Sequence, residues 1–352
     1  GGFVGEHDVM DTWATSSLTP WIVCGWDDDP RRYAVTFPMD LRPQGHDIIR
    51  TWLFSTVLRS ELDGHTLPWE HVALSGWILD PDRKKMSKSK GNVVTPMDLL
   101  EQFGSDAVRY WAAGGRPGTD AAFDQGRIRV GRRLATKLLN ASKFVLGFAP
   151  PGPDAETSEV LDAAMLAALD DVVAQATRAL LDFDYTAALD RVERFFWFFC
   201  DDYLELVKVR AYLDGGGAAT QSARLALRAA LSRLQRLLAP FLPFAAEEAW
   251  SWWHDDSVHT SPWPTAARRD TAGDAEVISL ASTAIGAIRR AKTDAKRSMR
   301  APVDTVRIRG LARHLDVVGS IGDDLRAAGN VGVLELEPSG DRELRVEVSL
   351  AT

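Results

Sequence analysis

The hydrophobic pattern over residues 1–149 keeps changing period. Short apolar runs at 33–37 and 71–79 carry the aromatic and β-branched residues of strands. The stretches 48–60, 96–103 and 105–113 instead space their apolar residues three and four apart, as a helix with one buried face requires. Strands alternating with helices of this length predict an α/β domain with a parallel sheet. Thr95-Pro96-Met97-Asp98 marks a helix start, with Thr95 as N-cap and Pro96, which has no N–H to lose, at the first helical position.

Pro150-Pro151-Gly152-Pro153 breaks this pattern, and Ser158 is placed to cap the helix that follows. From there to about Trp250 the chain is rich in Ala and Leu at three- and four-residue spacing, interrupted by Gly215-Gly216-Gly217, which predicts a bundle of four or so helices. Phe195, Trp197, Phe199 and Tyr203 fall where a bundle core needs them, and Cys200 beside them reads as packing. Pro262-Trp263-Pro264 closes this region. A basic helix over about 275–299 and alternating strands at 303–309, 331–337 and 343–350 make the remainder a small α/β segment. The predicted domains are therefore 1–149, 150–265 and 266–352.

With 352 residues, 45% hydrophobic and 26% charged, the chain can bury more than one core. No apolar run is long enough to span a bilayer and no charged-then-apolar leader is present, so the expected location is the cytoplasm, with no membrane partner. Cys24 and Cys200 are the only cysteines, which excludes a disulfide framework and a cysteine-built zinc site. The net charge of -8 opposes affinity for nucleic acid overall. Two basic clusters run against it: Arg127, Arg129, Arg132, Arg133 and Lys137, then Arg289, Arg290, Lys292, Lys296, Arg297 and Arg300. Each is either the solvated face of a helix or a phosphate-binding face on which the acidic remainder focuses docking.

The sharpest chemical signal is Lys85-Met86-Ser87-Lys88-Ser89-Lys90-Gly91-Asn92, between the tight turn Asp80-Pro81-Asp82-Arg83 and the helix opened by Pro96. Mobile ammonium groups, hydroxyls and a Gly-Asn turn suit a polyphosphate on which negative charge builds. Alone, such an octapeptide is as readily a solvated turn. Upstream lie Arg42-Pro43-Gln44-Gly45-His46-Asp47-Ile48-Ile49-Arg50-Thr51-Trp52 and Asp8-Val9-Met10-Asp11-Thr12-Trp13-Ala14-Thr15-Ser16-Ser17.

In this order the three blocks resemble the second half of the catalytic domain of the class I aminoacyl-tRNA synthetases, most of all the valyl members, with the isoleucyl and leucyl members close. The Asp-Thr-Trp block, the Gly-His-Asp block and Lys90 favour the valyl branch. Phe103-Gly104-Ser105-Asp106-Ala107-Val108-Arg109-Tyr110-Trp111 resembles the helix that follows the lysine loop in this family. The blocks at 195–205 and 238–250 look like its helical anticodon-binding domain. The fold so implied is α/β plus all-α: the second half of a Rossmann-like parallel-sheet catalytic domain, a helical-bundle anticodon-binding domain, and a small C-terminal α/β segment. The family's His-x-Gly-His segment does not occur, since the only Gly-His pairs are Gly45-His46 and Gly64-His65. Nor does the editing insertion that valyl enzymes carry ahead of the Asp-Thr-Trp block. The resemblance thus implies the C-terminal part of a longer enzyme, with half of the nucleotide site outside the chain and the isolated chain inactive.

The same resemblance assigns roles. Lys85 and Lys88 stabilise a departing pyrophosphate, while Ser87 and Ser89 hold the loop closed. Gly45, His46, Asp47, Met86 and Lys88 border ATP or the adenylate. Asp11 pairs with the ammonium of valine, and Trp13 and Ile48 wall its side chain. Asp47 is also placed to cap the helix beginning at Ile48, and both roles can coexist. Mg²⁺ is expected on ATP and no protein-held metal is implied; the partners are valine, ATP and tRNA(Val), and the expected state is a monomer. The implied function is ATP-dependent activation of valine and its transfer to tRNA(Val). Two alternatives stay open: an isoleucyl or related branched-chain synthetase, and a non-catalytic tRNA-binding fragment.

Overall fold

The computed structural model describes every residue except 1, 6, 9–11, 214–215, 267–273 and 352, and for Lys88 and Asp274 the backbone alone. The chain divides into two compact units, Gly1–Pro96 with Gly114–Gln125, and Met97–Ala113 with Gly126–Thr352.

The first unit opens with the short helices α1 (Thr12–Ser16), α2 (Thr19–Cys24) and α3 (Pro30–Thr36). The strand expected at 33–37 is thus mostly helix. Local start chemistry outweighs the strand propensity of Tyr33 and Val35: the Asp29 carboxylate accepts a hydrogen bond from the Arg32 amide at 3.0 Å and Pro30 takes the first helical position. Tyr33 then stacks on Phe37 one turn later, with ring centroids 4.9 Å apart.

The strand itself comes after Pro38, as β1 (Met39–Gly45). A continuous helical stretch follows, a 3₁₀ turn (His46–Ile48), a π turn (Ile49–Leu53) and α4 (Phe54–Gly64), close to the predicted 48–60. It leads to β2 (Trp69–Ser75), which pairs with β1 in parallel from Met39↔Trp69 to Gly45↔Ser75. The Trp52 indole donates to the Ser16 carbonyl at 2.7 Å and Arg59 donates to Ser17 Oγ and the Ala14 carbonyl, which fastens α1 to this stretch.

The single strand expected at 71–79 is broken. At Gly76 the backbone passes so close to a neighbouring segment that a Cβ would sit 2.2 Å from the Thr119 carbonyl oxygen. Beyond this point β3 (Ile78–Leu79) pairs in parallel with β4 (Ala121–Ala122).

The second unit holds α5 (Pro96–Phe103), whose first residue closes the first unit, and α6 (Ser105–Ala113), both with the predicted bounds. Next come α7 (Gln125–Leu146), α8 (Val160–Leu181), and α9 (Tyr185–Phe198) continuing through a π turn (Phe199–Tyr203) into α10 (Leu204–Tyr212). The helices α11 (Ala218–Leu238) and α12 (Pro243–Ser251) complete the bundle. Phe195, Phe199 and Tyr203 are buried in its core and Trp197 packs against it, as their spacing predicts. Cys200 is buried too, in keeping with packing, and burial pushes its thiol up to about 12, away from the thiolate form.

Ser158 is not the cap of α8. Glu159 takes that position without a side-chain bond, and the amides of Ser158 and Glu159 both donate to Ser222 Oγ at 3.1 and 3.2 Å. The start of α12, by contrast, is capped from a distance, since buried Asp106 accepts from the amides of Phe244 and Ala245 in its first turn.

The basic helix α13 (Asp274–Asp294) stops short of the predicted 299, because Lys296 turns left-handed at φ 52° and the Arg297 amide folds back onto the Lys292 carbonyl. The C-terminal strands β5 (Val303–Gly310), β6 (Val331–Pro338) and β7 (Arg345–Leu350) lie where alternation predicts them, in the order β6-β5-β7, with β5 parallel to β6 and antiparallel to β7. The parallel pair needs a crossover, supplied by α14 (Ala312–Ser320) and α15 (Gly322–Gly329), which the sequence reading missed. Gly319, Gly322 and Gly329 weaken their helical signature, while Leu315, Val318, Ile321 and Leu325 bury the apolar side.

One buried polar network ties these elements together. Arg210 on α10 donates to both oxygens of Asp162 on α8, at 2.7 and 3.0 Å, to both of Asp324 on α15, at 3.0 and 2.9 Å, and to the Ala219 carbonyl. Tyr203 and Ser222 supply further hydrogen bonds to Asp162. Burial alone would lower the pKa of Arg210, but these bonds outweigh it and hold the guanidinium charged. Arg210→Met leaves two buried carboxylates without their cation and is expected to destabilise the second unit by about 3–5 kcal/mol in urea unfolding. An unchanged midpoint would show that the network contributes nothing.

Candidate functional site

Of the predicted nucleotide-binding residues, Gly45, His46 and Asp47 lie at the carboxyl end of β1, beside that of β2, where ligands bind in open parallel sheets. Gly45 is the last residue of β1, and open space surrounds the position its Cβ would take. His46 turns back over the sheet, its Nδ1 3.0 Å from the Ser75 carbonyl oxygen at the end of β2. Asp47 does not cap the helix at Ile48. Its carboxylate instead accepts a hydrogen bond from the Trp77 indole and lies 3.9 Å from Lys85 Nζ. The Lys85 ammonium also sits 3.9 Å from the centroid of the Trp77 ring, and the His46 ring is 4.8 Å from that same indole. Gly45, His46, Asp47 and Lys85 are thus brought together, with Trp77 between the last two.

The lysine loop has an internal scaffold. Buried Asp80 accepts from the Lys84 amide at 2.7 Å and from Asn92 Nδ2 at 2.8 Å. Asn92 in turn accepts from the Ser87 amide at 3.0 Å, so one side chain staples both limbs of the loop. Gly91 between them has φ 66°, a backbone region that glycine enters without steric cost. Ser87 Oγ and Ser89 Oγ are 3.2 Å apart, and Met86 is half-buried with its Sδ accepting from the Val94 amide at 3.5 Å. Met86 therefore packs the loop from inside. The Lys84 amide first, and then Asn92, hold the Asp80 carboxyl below the usual carboxylate range. Lys88 opens the 3₁₀ turn Lys88–Lys90, and its side chain lies outside the described atoms.

Of the predicted valine-binding residues, Asp11 lies outside the described residues. Trp13 lines a cavity of about 690 Å³ together with Arg50, Thr51, Leu58, Arg59 and Asp63. Ile48 is not among the residues lining it. Sequence reasoning passed over Trp77, read as one more strand residue, and Asp80, read only as a turn former. An aromatic residue directly ahead of the lysine loop was the available signal for the first.

The two basic clusters differ in kind. Lys137 on α7 pairs with Asp201 at 2.8 Å. In the second cluster Arg289 pairs with Asp202 at 2.6 Å, and Lys292 is neither solvated nor free for phosphate. Its side chain is 1% exposed and its ammonium donates to the Met299 and Gly329 carbonyls at 2.9 and 2.8 Å, which anchors the segment after α13. Burial lowers its pKa. Among the described residues no group of three or more His, Cys, Asp or Glu is arranged to hold a metal ion, and no helix is long and apolar enough to cross a membrane.

Comparison with known proteins bears on both units. Residues 1–124 match the family described as tRNA synthetases class I (I, L, M and V), and residues 162–308 match the anticodon-binding domain of tRNA ligase. A valine–tRNA ligase of Thermobifida fusca is 56% identical over 359 residues, an alignment spanning 100% of this chain and 40% of the relative. That of Leifsonia xyli is 58% identical over 350 residues, spanning 97% and 40%. The chain thus spans about 40% of the length of the curated relatives it matches. Among solved structures, a LeuRS of Agrobacterium radiobacter K84, in a ternary complex with tRNA and LeuAMS, superposes with a TM-score of 0.61 at 21% identity, covering 76% of this chain and 34% of the other. The free methionyl-tRNA synthetase of Mycobacterium tuberculosis gives 0.53 at 21% identity, covering 69% and 49%. Both likenesses show the shared fold.

The loop scaffold predicts its own failure. In Asp80→Asn the new amide faces the amide of Asn92, donor against donor, and hydrogen exchange at the Ser87 amide is expected to speed up several-fold; unchanged exchange would remove Asp80 from the scaffold. Because the Asp80 pKa is depressed, its contribution is fully present above the ordinary 3.8 and is lost as pH falls through the lowered folded value, so the same loss of protection, relative to an unstructured amide at each pH, is expected in acid.

Proposed function

The chain belongs to the valyl branch of the class I aminoacyl-tRNA synthetases, and on that basis we propose that it forms part of an enzyme that activates valine with ATP and transfers it to tRNA(Val). The valine carboxylate attacks the α-phosphate of ATP and expels pyrophosphate, giving the valyl adenylate. A terminal ribose hydroxyl of the tRNA then takes the acyl group and releases AMP. Mg²⁺ enters with ATP as part of the substrate.

The observation that carries this reading is the approach of Lys85 to the Gly45-His46-Asp47 turn at the ends of two parallel strands. A triphosphate whose ribose rests on that turn has its leaving phosphates within reach of the lysine loop. Lys85 and Lys88 stabilise the charge that accumulates on pyrophosphate, while Ser87, Ser89 and the Asp80–Asn92 staple keep the loop in shape. Met86 supports the adenylate side from within the loop. Asp11 holds the valine ammonium, and Trp13 and Ile48 wall its side chain. No side chain acts as an acid or base; the rate comes from positioning and electrostatics.

The helical region takes the anticodon limb of the tRNA, with Arg and Lys side chains of α7 and Arg290 of α13 on phosphates. The enzyme works in the cytoplasm as a monomer. This chain alone, without a His-x-Gly-His segment, binds tRNA and forms no adenylate.

Valine-dependent ATP–pyrophosphate exchange by a longer polypeptide carrying these residues tests the reading. Lys88→Ala is expected to lower the exchange rate by about 10²-fold, with valine binding little changed. An unaltered rate would remove the clamp, and exchange driven by isoleucine in place of valine would reassign the substrate. For the isolated chain, tRNA affinity is expected to fall steeply with salt, measured by filter binding from low to physiological ionic strength. A salt-independent affinity would exclude the phosphate contacts.

A further inference from the structure

Trp77 is held on both sides of its own peptide unit. Its amide donates to Asp120 Oδ1 at 2.8 Å, and its carbonyl accepts from the Ala121 amide at 2.9 Å. The preceding Gly76 has no room for a Cβ against Thr119, which fixes the backbone from which the indole projects. From that mount the indole N–H donates to Asp47, and the ring receives the ammonium of Lys85 at 3.9 Å. The same ammonium lies 3.9 Å from Asp47 Oδ1. One rigid aromatic side chain thereby links the end of β1 to the first lysine of the loop.

We infer that Trp77 is a positioning residue: with Asp47 it docks the Lys85 ammonium against the Gly45-His46-Asp47 turn before any nucleotide arrives. An unrestrained lysine on an exposed loop samples many rotamers, all but a few of which are lost when it meets a phosphate. A cation held over an indole face and beside a carboxylate has given up most of that freedom beforehand, so less is lost on binding. Lys85 and Asp47 both remain about half exposed, and water screens their attraction. The dock therefore biases the ammonium without locking it, and the multiple charges of a triphosphate draw it away. The dock itself stands on the geometry; its purpose rests on the synthetase reading.

Lysine reactivity tests the dock in this chain as it is. Under limiting acetylation with a water-soluble acetyl ester, read by peptide mass spectrometry, Trp77→Leu is expected to raise the Lys85 rate about threefold or more, with Lys84 and Lys90 as unchanged references in the same loop. Trp77→Phe keeps a ring but has no N–H for Asp47 and falls between. Asp47→Asn, which keeps an acceptor for the indole and loses the charge, also raises the Lys85 rate. Equal Lys85 rates across the unsubstituted chain and all three variants overturn the dock.

In the longer polypeptide, Trp77→Leu is expected to lower kcat/KM for ATP in the exchange reaction by about three- to tenfold while leaving KM for valine unmoved, with partial rescue by Trp77→Phe. An unchanged or faster rate overturns the positioning role, since a mere parking place would be released by the substitution. Should the unsubstituted polypeptide catalyse no exchange, the synthetase reading falls and acetylation alone decides the dock.

Discussion

Asp162 is fully buried, and a carboxylate without water is tolerable only where hydrogen bonds replace every contact it has lost. Arg210, Tyr203 and Ser222 do so, and each comes from a different stretch of the second unit. The constraint works in both directions. Asp162 fixes where α10 and α11 can lie against α8, and the second carboxylate on Arg210, Asp324, ties the same guanidinium to α15 under the C-terminal sheet. Ser222 carries the order one step further, since the hydroxyl that donates to Asp162 also accepts from the Ser158 and Glu159 amides just ahead of α8. An apolar bundle would tolerate sliding of one helix past another. This one has its register set by directional bonds.

The lysine loop applies the same logic on a smaller scale. Its two limbs are held together at the base while its ammonium groups lie toward the tip. Asp80 and Asn92 close the base with short polar bonds and leave the tip to glycine and serine. The order sits at the base of the loop.

Much of this was legible in the chain itself. Helices with strong three-and-four spacing, such as α5 and α6, have the bounds that periodicity predicts, and the C-terminal strands follow their alternation. The failures fall where a local bond or a distant neighbour overrode the pattern. Asp29 and Pro30 turned a strand-like run into α3; Thr119 pressed on Gly76 and split one strand into two; Ser222, far along the chain, holds the amides of Ser158 and Glu159, so that α8 starts one residue later without a side-chain cap. The motifs named candidate residues but not their companions. Nothing near Asp47 in sequence shows that its carboxylate faces Trp77, because that contact is made by a turn thirty residues away that the broken strand creates. Lys292 looked like one more cation on a basic helix, and only its two carbonyl partners reveal that it is buried structure.

The path of the chain between its two units has a practical corollary. It crosses at 96/97, at 113/114 and again at 125/126, so the segment Gly114–Gln125 is a loan returned to the first unit after two helices of the second. That loan contains β4, the pairing partner of β3, and Asp120, on which the Trp77 amide rests. No single cut yields a whole first unit. A fragment ending at the lysine loop would keep Gly45, His46, Asp47, Trp77 and Lys85 and lose the brace behind them, so divided expression has to graft 114–125 back by a linker.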